Sequence, residues 1–361
     1  MAVYPQKETR EAPSGSKGVI HWMKDNLFSS PLNIFLTFLG VGFLLLIIPP
    51  FVQWAYIDAN FSGTSREQCG TDGACWVFVK EKMDMFMYGF YPEVERWRLK
   101  LGIFLFIALM VSYRFIKSNK AKFILFNLFM IITTILVIGG LFGLEYVPTD
   151  KWGGLMLSIV VAGVGIIFSF PIGIVVAFGR QSDLPIIRSV CITYVEFIRG
   201  VPLITILFMS SIILPLFFPE GINFDKLLRA LIGITLFQAA YAAEVIRGGL
   251  QSIPKGQYEA ADAAGFSYWQ KMILVILPQA LKVAIPNLVG IFIALFQDTT
   301  LVLIIGLFDL LAMVRITAAD SNWLGMETEG YVFVTFVFWF FCYIMSRYSS
   351  SLEKRFDTNL K

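Results

Sequence analysis

Residues Gln251–Pro278 read QSIPKGQYEAADAAGFSYWQKMILVILP, the longest polar interruption in the second half of an otherwise apolar chain. Glu259-Ala260-Ala261-Asp262-Ala263-Ala264 is a run of strong helix formers. Its acids stand early in the run, where the helix dipole favours them. Gly265 follows as a left-handed stop. Ser267 and Gln270 have the spacing of a capping box that opens a second helix. Pro278 marks a turn or a kink. The stretch therefore predicts a helix, a Gly turn and a second helix between two membrane spans. Alanines line the first helix, and so small a surface lets another protein's backbone come close. That is the shape of a docking helix rather than a catalytic loop.

The whole composition agrees with a chain that lives in lipid. It is 57% hydrophobic and 15% charged, where soluble proteins carry about 25% charged residues. The net charge of +3 is small and does not point to nucleic acid. His21 is the single histidine and lies in the polar amino-terminal segment. A Ser-His-Asp triad, a His-Glu-x-x-His zinc site or a Cys-His dyad within the membrane is thereby excluded. No phosphate-cradling Gly-x-x-x-x-Gly-Lys-Ser/Thr occurs, so ATP is not expected on this chain.

Residues 1–30 read as a mobile cytoplasmic tail. At about 20 apolar residues per crossing, the remainder divides into about eight spans: 33–55, 99–115, 122–144, 155–178, 189–218, 227–249, 284–305 and 330–346. Pro49-Pro50 should kink the first, and Gly200-Val201-Pro202 should break the overlong fifth. With the amino terminus inside, Lys7, Arg10, Lys17 and Lys24, then Arg114, Lys117, Lys120 and Lys122, then Arg180, Arg188, Arg247, Lys255, Lys271 and Lys282, and last Arg347, Lys354, Arg355 and Lys361 fall on the cytoplasmic side. The short outer loops hold Glu145, Asp150, Glu220, Asp225, Asp320, Glu327 and Glu329. This positive-inside bias puts both termini and residues 250–280 in the cytoplasm, independently of any motif. A long outer loop, 56–98, contains Cys69-Gly-Thr-Asp-Gly-Ala-Cys75. On an oxidising side the pair can bridge; the spacing leaves both a disulfide and two thiols open. Cys191 and Cys342 read as apolar fillers. Gly139 and Gly143 have GxxxG spacing for close helix packing, and Trp152-Gly153-Gly154 reads as an interface anchor.

Certain residues carry a resemblance. Glu259-Ala260-Ala261, Gly265 and Leu277-Pro278 resemble the EAA loop of ABC-importer permeases, with Val275 where that pattern prefers Ile. Tyr194-Val-Glu-Phe-Ile-Arg-Gly-Val-Pro-Leu203 and Tyr241-Ala-Ala-Glu-Val-Ile-Arg-Gly-Gly249 resemble the polar-amino-acid uptake branch of that family. Gln297-Asp298-Thr299-Thr300-Leu301 is similar to its Lys-Asp-Thr-Ser-Leu segment, with Gln297 in place of the Lys. The resemblance covers roughly 151–361. With its extra amino-terminal spans, the whole chain is similar to the longer permeases of bacterial general L-amino-acid transporters. It implies an all-α type I importer permease core, 151–361, preceded by a three-helix extension, 31–150, in the bacterial inner membrane. It also implies a partner ATPase pair carrying ATP and Mg, a periplasmic amino-acid-binding protein, and a second permease subunit, a paralogue.

On that reading Glu259, Ala260, Ala261, Gly265, Leu277 and Pro278 couple to the ATPase. Gln297, Asp298, Thr299 and Thr300 form a polar patch in an apolar run, and an isolated acid at a helix centre costs about 2.5–3.5 kcal/mol on insertion scales. Asp298 either lines the substrate path or is a structural acid that caps a helix break or pairs with Arg199 or Arg247. Gln238 and Tyr241 offer hydrogen bonds to a substrate. Glu196/Arg199 and Glu244/Arg247 each place opposite charges on one helix face and read as structural pairs. No catalytic residue, bound cofactor or metal is expected. A secondary transporter driven by an ion gradient is the rival: Asp298 suits it, but no inverted repeat is visible. An intramembrane enzyme is the second rival, disfavoured by the single histidine.

Overall fold

The computed structural model describes residues 18–217, 219 and 224–357. Lys7, Arg10, Lys17, Glu220, Lys361 and residues 1–17 of the expected tail lie outside them. The chain forms two compact units, Met1–Val77 and Phe78–Lys361.

The first unit holds α1 (Val19–Leu27) and α2 (Pro31–Val52). Residues 19–27 are thus helical, contrary to the mobile tail expected for 1–30. His21 is partly exposed there and lies 3.0 Å from Asp25, one turn on. Ser30 caps α2 by accepting from Asn33 N, with Pro31 in the first turn where its missing N–H costs nothing. Pro49 and Pro50 sit inside α2, which runs on as a π segment, Gln53–Ile57. Freed backbone groups at proline are met by such local winding changes. Beyond it, Asn60 pairs with Cys75, and Cys69 and Cys75 are joined in a disulfide with Cα atoms 5.6 Å apart.

The second unit is helical throughout its main elements. After α3 (Trp76–Glu81), which crosses the boundary, come α4 (Met83–Tyr88), α5 (Arg96–Phe115) and α6 (Asn119–Ile138). α6 stops at Gly139, whose φ is +73°. Gly140 and Gly143 are also left-handed, so the Gly139/Gly143 spacing builds a turn rather than a helix-packing face. Trp152 is buried, its indole N–H donating to Val147 O at 3.2 Å. It serves the core rather than a lipid interface.

α7 (Gly154–Arg180) and α10 (Lys226–Gln251) form the centre of this unit. They run in the same direction, with Gly165 against Ile234 and Gly173 against Ala242 and Ala239. A Cβ on Gly173 would stand 2.8 Å from that of Ala242 and 3.2 Å from Ala243 N. Small residues here let two backbones pack without a hydrophobic gradient to drive them. Between these helices lie α8 (Pro185–Gly200) and α9 (Leu203–Phe208). The chain bends by 107° between them, at the expected Gly200-Val201-Pro202.

After α10 come α11 (Lys255–Ala263), α12 (Tyr268–Gln270), a π segment over Lys271–Ile276, and α13 (Leu277–Asp298). Gly249 packs on Ala280, and Gln238 bonds to Ile291, so α13 runs antiparallel to α10. The α13 chain tightens to a 3-10 turn, Thr299–Ile305, and stops at left-handed Gly306. α14 (Leu310–Ala318) and α15 (Glu327–Asp357) complete the unit.

Among the described residues, six helical stretches are long and apolar enough to cross a membrane, or seven if the bent α8/α9 pair is one span. The expectation was about eight. The difference is the stretch expected at 99–115: α5 is 20 residues long but carries Arg96, Arg98, Lys100 and Arg114. The stretch expected at 284–305 instead runs unbroken from Tyr268 to Ile305.

Candidate functional site

The α11–α12 segment is a helix, a turn and a helix. Gly265 has φ +77°, and Ser267 and Gln270 form a reciprocal capping box, both as the residue pattern requires. One detail differs. α11 begins at Lys255, so neither acid lies in its first turn, and Asp262 sits near its carboxyl end. A dipole cannot favour an acid there. Asp262 is held instead by Lys271 Nζ at 2.6 Å. Further contacts stiffen the segment: Gln279 Nε2 donates to Gln257 Oε1 at 3.1 Å, and Tyr258 OH donates to Leu250 O at 3.2 Å.

Glu259, Ala260 and Gly265 are exposed, whereas Ala261 faces inward at 4% exposure. No atom lies within 4 Å of a Cβ built on Gly265. Phe266, Tyr268 and Trp269 are exposed beside it. The loop thus presents a small-residue face with an aromatic border. Leu277 and Pro278 open α13 itself. Pro278 has no N–H for the carbonyl of Leu274, four residues back, and the preceding turn winds as π.

The four charges expected as two intrahelical pairs form one cluster. Glu244 and Arg247 do pair, at 2.5 Å. Glu196 and Arg199 do not pair with each other. Glu196 meets Arg180 at 2.9 Å, and Arg199 lies 3.7 Å from Glu244 with its guanidinium 5.7 Å from the Tyr241 ring centroid. Arg180 also donates to Glu244 at 2.7 Å. The bend after Gly200 and the approach of α7 carry Glu196 and Arg199 to separate partners. Arg180 was legible only as one inner-side charge, because its partners lie 16 and 64 residues away.

The polar patch is less open than its residue types suggest. Thr299 and Thr300 donate to Phe296 O and Gln297 O of their own helix, at 2.8 and 3.0 Å, and Thr299 is 1% exposed. Gln238 is 3% exposed and donates to Ile291 O at 3.0 Å, so its amide ties α10 to α13. Gln297 is exposed, its amide 3.7 Å from Cys342 Sγ. Asp298 is half-buried, and its carboxylate has no partner among the described residues. Pairing with Arg199 or Arg247 does not occur, since both lie against Glu244. Measured from the Gln238–Ile291 level at 1.5 Å per residue, Asp298 stands about 20 Å along the bundle from Glu244.

The bundle packs small residues between α7 and α10 and carries an exposed helix–turn–helix between α10 and α13. Residues 169–358 match the family model described as "Binding-protein-dependent transport system inner membrane component". The chain belongs to this family. It is a multi-span membrane permease component. This inner-membrane component is 49% identical over 352 residues to the "Inner membrane amino-acid ABC transporter permease protein YhdY" of Escherichia coli K12, covering 97% of this chain and 96% of that protein. It is 37% identical to the "Glutamate/glutamine/aspartate/asparagine transport system permease protein BztC" of Rhodobacter capsulatus, over 96% of this chain and 95% of that one. A solved structure, "Crystal structure of an amino acid ABC transporter with histidines", aligns at 28% identity and a TM-score of 0.49, over 56% of this chain and 92% of that one.

Proposed function

We propose that this permease imports amino acids into the cytoplasm as part of an ABC transporter, by alternating access driven from a separate ATPase pair. The observation that carries the reading is the exposed loop Lys255–Gln270, stiffened from within and open on its small-residue face. Glu259, Ala260 and Gly265 meet the ATPase, while Leu277 and Pro278 pass its movement into α13. ATP and Mg bind on that partner. The relatives' amino-acid substrates and the near-full-length match support the substrate class. A periplasmic binding protein delivers the amino acid, and a second permease subunit completes the path. The loop end of the bundle and both termini face the cytoplasm of a bacterial inner membrane, in keeping with the distribution of Lys and Arg.

The ATPase acts as a ligand with different affinity for two states of the permease, so closing around ATP shifts their balance. Asp298 and Gln297 contribute to the path at a level well removed from the charge cluster. The test is uptake into liposomes holding the full complex, with ATP inside, the binding protein outside and no ion gradient. A panel of acidic, basic and neutral amino acids is offered. Uptake requiring both ATP and the binding protein is expected. Uptake that appears only with an imposed proton or sodium gradient would overturn the reading.

A further inference from the structure

Arg180 belongs neither to the docking loop nor to the patch around Asp298, yet its position joins three helices. It is the last residue of α7. From there its guanidinium donates to Glu244 of α10 at 2.7 Å and to Glu196 of α8 at 2.9 Å. Its side chain is only 10% exposed. The Arg180–Glu244 pair is the shielded one and depends closely on geometry, because a lost partner leaves a poorly solvated charge. Two residues earlier, Phe178 meets Trp269 of the docking loop edge-on, with ring centroids 6.3 Å apart. One short piece of α7 therefore touches the loop on one side and pins α8 and α10 on the other. Lys271–Asp262 ties the two arms of the loop to each other, and Gln279–Gln257 ties it to α13. The Phe178–Trp269 contact thus lies two residues from the guanidinium that holds Glu196 and Glu244.

We propose that Arg180 is a positioning residue for transport: it carries movement of the docking loop into α8 and α10. The proposal rests on the importer reading above. A guanidinium suits the task because it presents separate N–H groups to two carboxylates at fixed angles, which one ammonium does not. Glu244 is the shared anchor, since Arg199 and Arg247 also lie against it. A change at Arg180 is thereby felt across the cluster.

The test uses the complete complex in liposomes and reads uptake, ATP hydrolysis and their ratio, with ATPase association checked by co-purification. Arg180→Gln is expected to keep the ATPase bound and hydrolysing while uptake per ATP falls about tenfold, within the range of mutations that alter coupling between sites. Arg180→Lys keeps the charge and loses one arm, so a smaller loss of about threefold is expected. Trp269→Ala should lower the ratio in the same direction. If Arg180→Gln does not assemble, Glu196→Gln removes the outer arm at an exposed position and should lower the ratio as well. A wild-type ratio in Arg180→Gln or Glu196→Gln, or uptake and hydrolysis falling together, would overturn the proposal while leaving the importer reading intact. A wild-type complex without ATP-dependent uptake would overturn the importer reading and this proposal with it.

Discussion

Asp309 is fully buried just before α14 and accepts from Leu311 N and Ala312 N at 3.2 and 3.0 Å. Burial pushes its carboxyl up from 3.8 to about 6, against the pull of those N–H groups and of Arg315. A folded value above the unfolded one means that the native state holds the extra proton between about pH 4 and 6. Stability is therefore greatest below that window and falls as pH rises through it. The loss across that window is on the order of a few kcal/mol, at about 1.4 kcal/mol for a tenfold change in proton affinity. Asp309→Asn keeps a capping oxygen and removes the titration. Melting temperatures of the two proteins in detergent should diverge between pH 4 and 6.5, the wild type losing more. Parallel curves would refute this. At Asp298 the expected outcome concerns transport: Asp298→Ala should leave assembly unchanged and cut uptake, and normal uptake would remove Asp298 from the path. Residue-scale features were legible where both partners share a helix, as in Glu244 with Arg247. They were hidden where the partner comes from another span, as with Arg180.

Among the elements, the loop 251–278 was the most legible. Its signals are local: a left-handed glycine and a capping box three residues wide. The break after Gly200 was legible for the same reason, since Pro202 cannot donate and restricts the residue before it. The length of the next span was not. Pro278 reads as a turn or a kink, but the π turn ahead of it lets the helix continue. Two glycines separate conformation from contact. Gly265 is left-handed but open, so Gly265→Asp meets no clash and costs only the roughly 1–2 kcal/mol of its backbone conformation; it should still fold and lose co-purification with the ATPase, and unchanged association and coupled hydrolysis would count against the docking role. Gly89 is left-handed at +62°, and a Cβ there would stand 2.4 Å from Gly153 Cα. Backbone cannot yield as a flexible side chain can. Gly89→Ala should cost about 1–3 kcal/mol, visible as a lower melting temperature.

For the molecule as a whole, composition established a lipid-embedded helical protein, and the division of contacts at Val77/Phe78 did not show in it. Hydropathy registers apolar runs, not which runs share a core: α5 and α6 fall in the same unit as α7 to α15 because Tyr91 bonds to Val137 O and Phe90 meets Phe308. In the first unit, cysteine spacing alone could not decide between bridge and thiols, since pairing depends on backbone geometry. The structure pairs Cys69 with Cys75. The tryptic peptide Glu67–Lys80 contains both. It should run lighter by two hydrogen atoms before reduction and gain two labelling sites afterwards; an unreduced peptide that labels at both cysteines would contradict the bridge.

The stretch from Tyr268 to Ile305 is 38 residues without a break. At 1.5 Å per residue it is about 57 Å long, against a hydrocarbon core of about 30 Å. Nearly half its length must therefore tilt or project beyond the lipid. A rod so long is a lever. Pivoting by about 10° about one end swings the other by roughly 10 Å, a distance comparable to the spacing between packed helix axes. Since the α11–α12 turn is built on one end of this rod and Asp298 lies near the other, a modest rotation at the turn becomes a large displacement at Asp298.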